Sequence, residues 1–128
     1  MAAVVAPSAA DIERSYDPQK MTVRYDAKRD TLTVHVGQPR PAISYDVLGE
    51  AWIRYVPDTK EVVGIEIENF ERYFLKRHPE IAERWRSTNA RKILRRRSSA
   101  QTESFLNQLV KLLKASLPGP SRPQVVST

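Results

Sequence analysis

The sequence predicts an α+β domain in which an antiparallel β meander of four or five strands is covered by C-terminal helices. Two patterns predict this class. Between residues 21 and 68, apolar and polar residues alternate in short runs separated by turn residues, which is typical of strands with one buried face. Between residues 69 and 117, apolar residues recur at the spacing of helices. The run Val62–Phe70 joins the two patterns, because an alternating strand leads directly into an aromatic-rich helix.

Length and composition set limits on the class of protein. A chain of 128 residues has room for one domain of ordinary size. Its apolar fraction of 41% and charged fraction of 28% are typical of a globular protein in water. The chain has no cysteine, which excludes disulfides, thiolate metal sites and cysteine nucleophiles. No run reaches the ~18 apolar residues of a membrane span, and the first residues lack a signal peptide's basic region, so we expect a cytoplasmic protein without a membrane partner.

The first strands are predicted after an irregular N-terminal stretch. Residues 1–20 show no periodicity, so we expect a flexible leader and regular structure from about Met21. The runs Thr22–Asp26 and Thr31–Val36 flank a polar turn and predict a hairpin.

The remaining strands follow a proline-containing loop at residues 37–41. Ile43–Val47 predicts a short strand or an extended edge, and Ala51–Val56 predicts a further strand that pairs with the one from Val62. On the outer face of that pair we expect Arg54 to approach the carboxylates of the next strand, Glu66 and Glu68.

The first helices are predicted from their ends. Asn69 is the expected N-cap of a helix that ends at His78, and Pro79 is the expected first residue of the next helix. The run Ser87–Asn89 breaks the pattern, and we expect a short separate helix from Ala90.

The last helix has the clearest pattern. Ser98–Gln101 offers a capping box, and the apolar residues up to Leu117 fall within one wide arc. An arc of this width suits either a helix that covers the core or a helix shared with a second subunit. We expect a single domain over residues 21–117, followed by a disordered, proline-rich tail over residues 118–128.

Part of the chain resembles a known family. The resemblance lies in Val23–Asp26, Asp30, Leu32, Ile53–Tyr55, Asp58 and Val62–Ile67. Over about residues 23–70 the sequence is similar to the domain-of-unknown-function family numbered twenty-two eighty-three, a family of small bacterial and archaeal proteins. The resemblance implies an antiparallel β unit. It implies no catalytic residue, and a binding role is suggested because some members resemble components encoded beside small toxin-like proteins.

Charge is distributed unevenly along the chain. Residues 1–70 hold 8 basic and 11 acidic side chains, whereas residues 71–128 hold 13 and 4. A segment without any acid forms the candidate basic binding surface: Arg84, Arg86, Arg91, Lys92, Arg95, Arg96 and Arg97. Such a segment is either a solvated helix surface balanced by the acidic sheet face, or a surface for nucleic-acid phosphates, for an acidic protein or for a membrane.

No residue pattern predicts an enzyme. Glu66 and Glu68 alternate on a strand face beside Arg54, which is typical of ion-paired surface carboxylates and not of a metal site. His35 and His78 share no ligand spacing with them and are expected at the surface or at a helix end. We therefore predict no catalytic residue, no metal, no cofactor and no small-molecule substrate.

The function predicted from the sequence is that of a non-enzymatic interaction module that acts by protein–protein association. The association uses the last helix or an edge strand, and a second copy of the chain is one candidate partner. The candidate association helix contributes Phe105, Leu109, Leu112 and Leu113. The alternative is a nucleic-acid-binding protein that uses the basic helical segment 84–97, in which Trp85 is expected to be a core residue and not a base-stacking platform.

Overall fold

The computed structural model describes residues 6–88, the backbone of residues 95–96 and residues 100–117. Its main element is one antiparallel sheet of six strands. The order of strands across the sheet is β3-β4-β5-β2-β1-β6, and every pair is antiparallel. The elements in chain order are α1 (Ala9–Ser15), a 3-10 turn (Pro18–Lys20), β1 (Met21–Asp26), β2 (Thr31–Val36), β3 (Ile43–Val47), β4 (Ala51–Tyr55), β5 (Val62–Ile67), a π-helical turn (Phe70–Phe74), α2 (Leu75–Arg77), α3 (Pro79–Thr88), β6 (Arg95–Arg96) and α4 (Ala100–Ala115). The predicted α+β class is confirmed.

The sheet consists of a hairpin and a three-strand meander that lie side by side. Strands β1 and β2 form the hairpin, β3 to β5 form the meander, and β5 pairs with β2 through partners such as Val34 and Ile65. Strand β5 is therefore in the middle of the sheet, which is why its residues are the most buried of any strand. Gly64 allows this close packing, because a Cβ at this position would lie 3.2 Å from the carbonyl oxygen of Val34.

The helices cover one face of the sheet and form the core with it. Ile65 on the central strand and Leu109 on α4 are 1% and 0% exposed, respectively. Trp85 of α3 lies at the centre of an aromatic cluster, with ring centroids 5.5 Å from Tyr25, 4.9 Å from Phe70 and 5.2 Å from Phe105. The predicted covering of the sheet by the helices and the core position of Trp85 are both confirmed.

The start of the helical region differs from the prediction. Asn69 adopts a left-handed backbone with φ of 52°, and its side chain makes no capping hydrogen bond. The carboxylate of Asp30 caps the turn instead, because it accepts hydrogen bonds from the backbone N–H groups of Glu71 at 2.8 Å and Arg72 at 3.0 Å. The predicted side-chain cap from Asn69 is therefore wrong. The folded sheet brings a better acceptor, an ionised carboxylate, to the orphan N–H groups.

The N-terminal stretch also differs from the prediction. Helix α1 begins with a capping box in which Ser8 Oγ accepts from Asp11 N at 3.3 Å and the Asp11 carboxylate accepts from Ser8 N at 2.7 Å. Ile12 is 2% exposed and belongs to the core. The backbone N–H of Val62 on β5 donates to Ser15 Oγ at 2.9 Å.

The expected flexible leader is therefore wrong for residues 9–20, and regular structure begins before Met21. A helix of 7 residues is too short to show a periodic stripe and too short to be stable alone. Its caps and its docking onto β5 and α4 hold it in place, and these contacts exist only in the folded chain.

The basic segment after α3 is only partly described. Helix α3 is described as far as Thr88, and Arg95–Arg96 form β6, with Arg96 opposite Val23 and Arg95 opposite Arg24 of β1. Arg95 and Arg96 are therefore in a strand and not in a helix, and the start of the short helix predicted from Ala90 lies outside the described residues. Ser98 and Ser99 of the predicted capping box and the tail from residue 118 also lie outside the described residues.

The outer face of the sheet carries the predicted polar residues, but not the predicted ion pairs. Arg54 lies opposite Gly64, and Glu66 lies opposite Trp52. Among the residues that the structure describes, no ion pair joins Arg54 to Glu66 or to Glu68. A register shift between Arg54 and Tyr55, which the sequence pattern does not encode, sets this pairing.

Candidate functional site

Strand β3 forms one edge of the sheet. It pairs with β4 through five residue pairs, from Ile43 opposite Tyr55 to Val47 opposite Ala51. No described strand pairs with its other side, whereas the opposite edge at β1 is partly covered by β6. An open edge presents backbone N–H and C=O groups without ladder partners, which is the usual template for another strand.

The side chains of β3 do little to block that edge. Ile43 is 37% exposed and, with Tyr73, is one of two large apolar side chains exposed among the described residues. Ser44 and Asp46 are exposed on the outer face, and Tyr45 packs in part against the core. Edge strands that avoid pairing usually carry charged residues, especially lysine, or proline; β3 has one charged residue, Asp46, and neither lysine nor proline. The prediction of a short strand or extended edge at Ile43–Val47 is thus confirmed.

A cluster of charged and aromatic side chains stands behind the turn that follows β3. Glu50 is 7% exposed. Its two carboxylate oxygens, Oε1 and Oε2, accept hydrogen bonds from Arg77 Nη1 at 3.2 and 3.1 Å, respectively. The guanidinium carbon of Arg77 lies 5.2 Å from the ring centroid of Tyr73, which is 53% exposed. Tyr and Arg held in place by such contacts are the residue types that contribute most to protein interfaces. No local sequence pattern predicts this cluster, because its members are far apart in the chain.

The candidate association helix is part of the core of a single chain. Phe105, Leu109 and Leu113 are each 0% exposed, and Leu112 packs partly against the core. This corrects the hypothesis that these residues form an association face. The sheet, α1 and α3 each cover part of the wide apolar arc of α4. Of the two interpretations that the arc allows, the core-covering helix is the one that the structure contains.

The candidate basic surface is divided by the end of α3. Arg84 is half-buried and Arg86 is exposed on α3. Arg95 and Arg96 lie in β6, and Arg91, Lys92 and Arg97 lie outside the described residues. The pairing of β6 with β1 places Arg95 opposite Arg24 in the ladder.

The open face of the sheet contains a depression of about 630 Å³ between β1, β2 and β5. Two basic residues line it together with three acidic ones, so it carries charges of both signs: Arg24, Arg29, Asp26, Glu66 and Glu68. Within the described part of the chain, no group of three or more His, Asp or Glu side chains is arranged to hold a metal ion. The depression therefore favours neither an anion nor a cation strongly.

The two histidines lie in different parts of the fold. His35 is exposed on β2. His78 lies between α2 and α3, where its carbonyl accepts hydrogen bonds from the N–H groups of Ile81 and Ala82 at 3.0 Å. Its ring centroid is 4.5 Å from that of Phe74. His35 is thus a surface residue and His78 a helix-end residue, as expected.

Two of the carboxylates with perturbed pKa values, those of Asp30 and Asp11, belong to the scaffold. Burial opposes ionisation of Asp30. Hydrogen bonds from Tyr25 and from the N–H groups of Glu71 and Arg72 favour the charged form, and so does the positive charge of Arg72. These favourable contacts outweigh burial and lower the pKa of Asp30 below 3.8. Burial likewise opposes ionisation of Asp11, and hydrogen bonds from Ser8 and Arg14 lower the pKa of Asp11. Neither group lies on the β3 edge, so these shifts concern stability.

No protein-family model, no curated protein and no solved structure matches this chain, and the family resemblance over residues 23–70 stays a prediction. In the described ranges, none of the helices combines the length and apolar character that crossing a bilayer demands.

Proposed function

We propose that this protein is a small, non-enzymatic interaction module that binds another protein by strand addition at the open edge of β3. The observation that carries the proposal is the pairing of β3, which uses only one side of the strand among the described residues and leaves Ile43 37% exposed at that edge. Strand addition supplies affinity through backbone hydrogen bonds and specificity through alternate side chains.

The chemistry of the edge supports this mode of binding. Each ladder hydrogen bond contributes roughly 0.5 to 1.5 kcal/mol net, so a five-residue edge alone gives modest affinity. Ile43 provides an apolar anchor at one end of the strand. Tyr73, held by Arg77 and Glu50 behind the turn at the other end, offers a second anchor. A partner that engages the strand and both anchors gains affinity from all three.

A matched pair of variants tests the proposal. Ile43→Lys places a charge on the edge, and Ala27→Lys places the same charge on an exposed turn at the far side of the sheet. We expect tagged wild-type protein and the Ala27→Lys control to recover the same partner from host extract, while Ile43→Lys recovers at least about tenfold less. Equal recovery by all three proteins rules out β3 as the binding edge.

Nucleic-acid binding by segment 84–97 is the second candidate function, and the position of β6 favours it. Arg95 lies opposite Arg24, so the basic segment and a sheet arginine occupy neighbouring positions at one edge. If about five basic side chains contact phosphates, log K falls against log salt with a slope near −4.5. A salt titration with a double-stranded DNA oligonucleotide measures that slope. The triple change of Arg95, Arg96 and Arg97 to Glu is expected to abolish binding, and a flat salt response excludes this function.

A further inference from the structure

We infer that the partner of β3 is a second copy of this chain, with the two β3 strands antiparallel about a two-fold axis through Tyr45. This inference rests on the proposed function, since it requires that the β3 edge binds a strand.

The geometry of a sheet restricts the choice of register. A two-fold axis perpendicular to the sheet keeps each side chain on its own face, so a residue at the centre must lie opposite itself. The inner residues of β3 offer three such centres, at Ser44, Tyr45 and Asp46. A centre at Asp46 sets two carboxylates against each other, which is destabilising. A centre at Ser44 leaves Val47 without an opposite residue in the strand. The centre at Tyr45 pairs all five residues of β3.

The Tyr45 register is also self-complementary. It places Ser44 opposite Asp46 of the second copy, and the symmetry produces that pair twice. One oxygen of Asp46 already accepts from the backbone N–H of Gly49 at 3.1 Å, and its other oxygen is available to the Ser44 hydroxyl. On the inner face, the exposed Ile43 lies opposite Val47 of the second copy, which extends the apolar core across the junction. The two Tyr45 rings meet at the axis.

The limits of the edge match the length of this pairing. Pro41, two residues before β3, has no N–H group and a fixed φ, so the ladder cannot extend far in that direction. At the other end the chain turns at Leu48 and Gly49, which have φ of 67° and 77°. The pairing is therefore confined to the five self-complementary residues, and the product is one continuous sheet through both copies.

Light scattering tests the association. We expect wild type and the Ala27→Lys control to reach twice the chain mass of 14.6 kDa as concentration rises. Ile43→Lys is expected to raise the dimer dissociation constant at least about tenfold. A wild-type protein that stays monomeric overturns the inference of a homodimer. If that monomer still captures another protein through β3, the proposed function survives. A monomer that shows no such capture contradicts both.

Single cysteines test the register, because the natural chain has none. Ser44→Cys mixed with Asp46→Cys is expected to give a mixed disulfide under mild oxidation, because directly opposite Cβ atoms lie about 4.5 to 5.5 Å apart. Neither variant alone is expected to cross-link at a comparable rate. Both positions are exposed, so the substitutions leave the core intact. The Tyr45 register is overturned if each variant alone cross-links as fast as the mixture. It is also overturned if the mixture forms a dimer but no disulfide.

Discussion

The backbone nitrogen of Glu71 donates a hydrogen bond of 2.8 Å to the carboxylate of Asp30, a residue 41 positions earlier in the chain. The same carboxylate accepts from the hydroxyl of Tyr25 at 2.6 Å and from the backbone nitrogen of Arg72 at 3.0 Å. Asp30 is only 5% exposed. One side chain in the β1–β2 turn thus fixes the start of the helical layer against the sheet.

Asp30→Ala is expected to destabilise the protein by about 3 kcal/mol. The change leaves a buried tyrosine hydroxyl and two helix N–H groups without their acceptor, and each hydrogen bond to a charged group contributes roughly 1.5 to 3 kcal/mol in a non-additive way. Urea denaturation gives the free energy of unfolding. Asp58→Ala, an exposed turn substitution, is the control and should change stability by less than about 0.5 kcal/mol. Equal effects of the two substitutions contradict the capping role of Asp30.

The lowered pKa of Asp30 makes stability depend on acid. A carboxyl group whose pKa is lower in the folded state contributes stability fully above its unfolded pKa, about 3.9, and loses it as pH falls through the folded value. The wild-type protein should therefore lose stability below about pH 4. Asp30→Asn should lose less over the same range, because it has no proton to bind at this site. Urea midpoints at pH 7 and pH 3 measure the difference, and identical losses in both proteins contradict it.

Ile12→Ala is expected to destabilise the protein by about 2 to 4 kcal/mol, because Ile12 is 2% exposed and its removal leaves a cavity between α1 and the core. Glu13→Ala on the next residue is the control. Its side chain is 71% exposed, and its ion pair with Lys114 contributes about 0 to 1 kcal/mol. Thermal or urea unfolding compares the two variants. A negligible effect of Ile12→Ala is the result expected of a flexible leader.

Arg77→Ala is expected to cost about 1 to 2 kcal/mol. It leaves the 7%-exposed carboxylate of Glu50 without its partner, and solvent around the half-exposed Arg77 reduces the cost below that of a fully buried pair. Lys76→Ala on the same helix is the control. A double-mutant cycle with Glu50→Gln isolates the pair, and additive effects of the two changes show that the ion pair contributes nothing.

The alternation of apolar residues in β1, β2, β4 and β5 was sufficient to predict those strands, because a buried face selects the same residues in any sheet of this kind. Helix α4 was equally predictable from its apolar arc. The short α1 was not, although its Ser8 to Asp11 capping box is visible in the sequence, since a helix of 7 residues has too few positions for a stripe. The Asp30 cap was missed because an acceptor 41 residues away leaves no local pattern.

The candidate interaction surface at the β3 edge was predicted only in part, because its position in the sheet depends on contacts between distant residues. Ile43–Val47 was expected as a short strand or edge, and its place at the outside of the sheet follows from the pairing of β5 with β2, which no local pattern encodes. Phe105, Leu109 and Leu113 are buried in the core and do not form an association face. The sequence could not predict this, because an amphipathic stripe does not identify the surface that covers it. The cluster of Glu50, Tyr73 and Arg77 forms only when the turn after β3 meets α2.

By itself, the sequence determined the class of fold, strands β1 to β5, the last helix and the excess of positive charge after residue 70, because each depends on residue types at short spacing. The tertiary structure alone decided the order of the strands, the burial of α4 and the open edge at β3. These depend on which surfaces meet after the chain folds, and the free energy of those contacts comes from residues that are distant in the sequence.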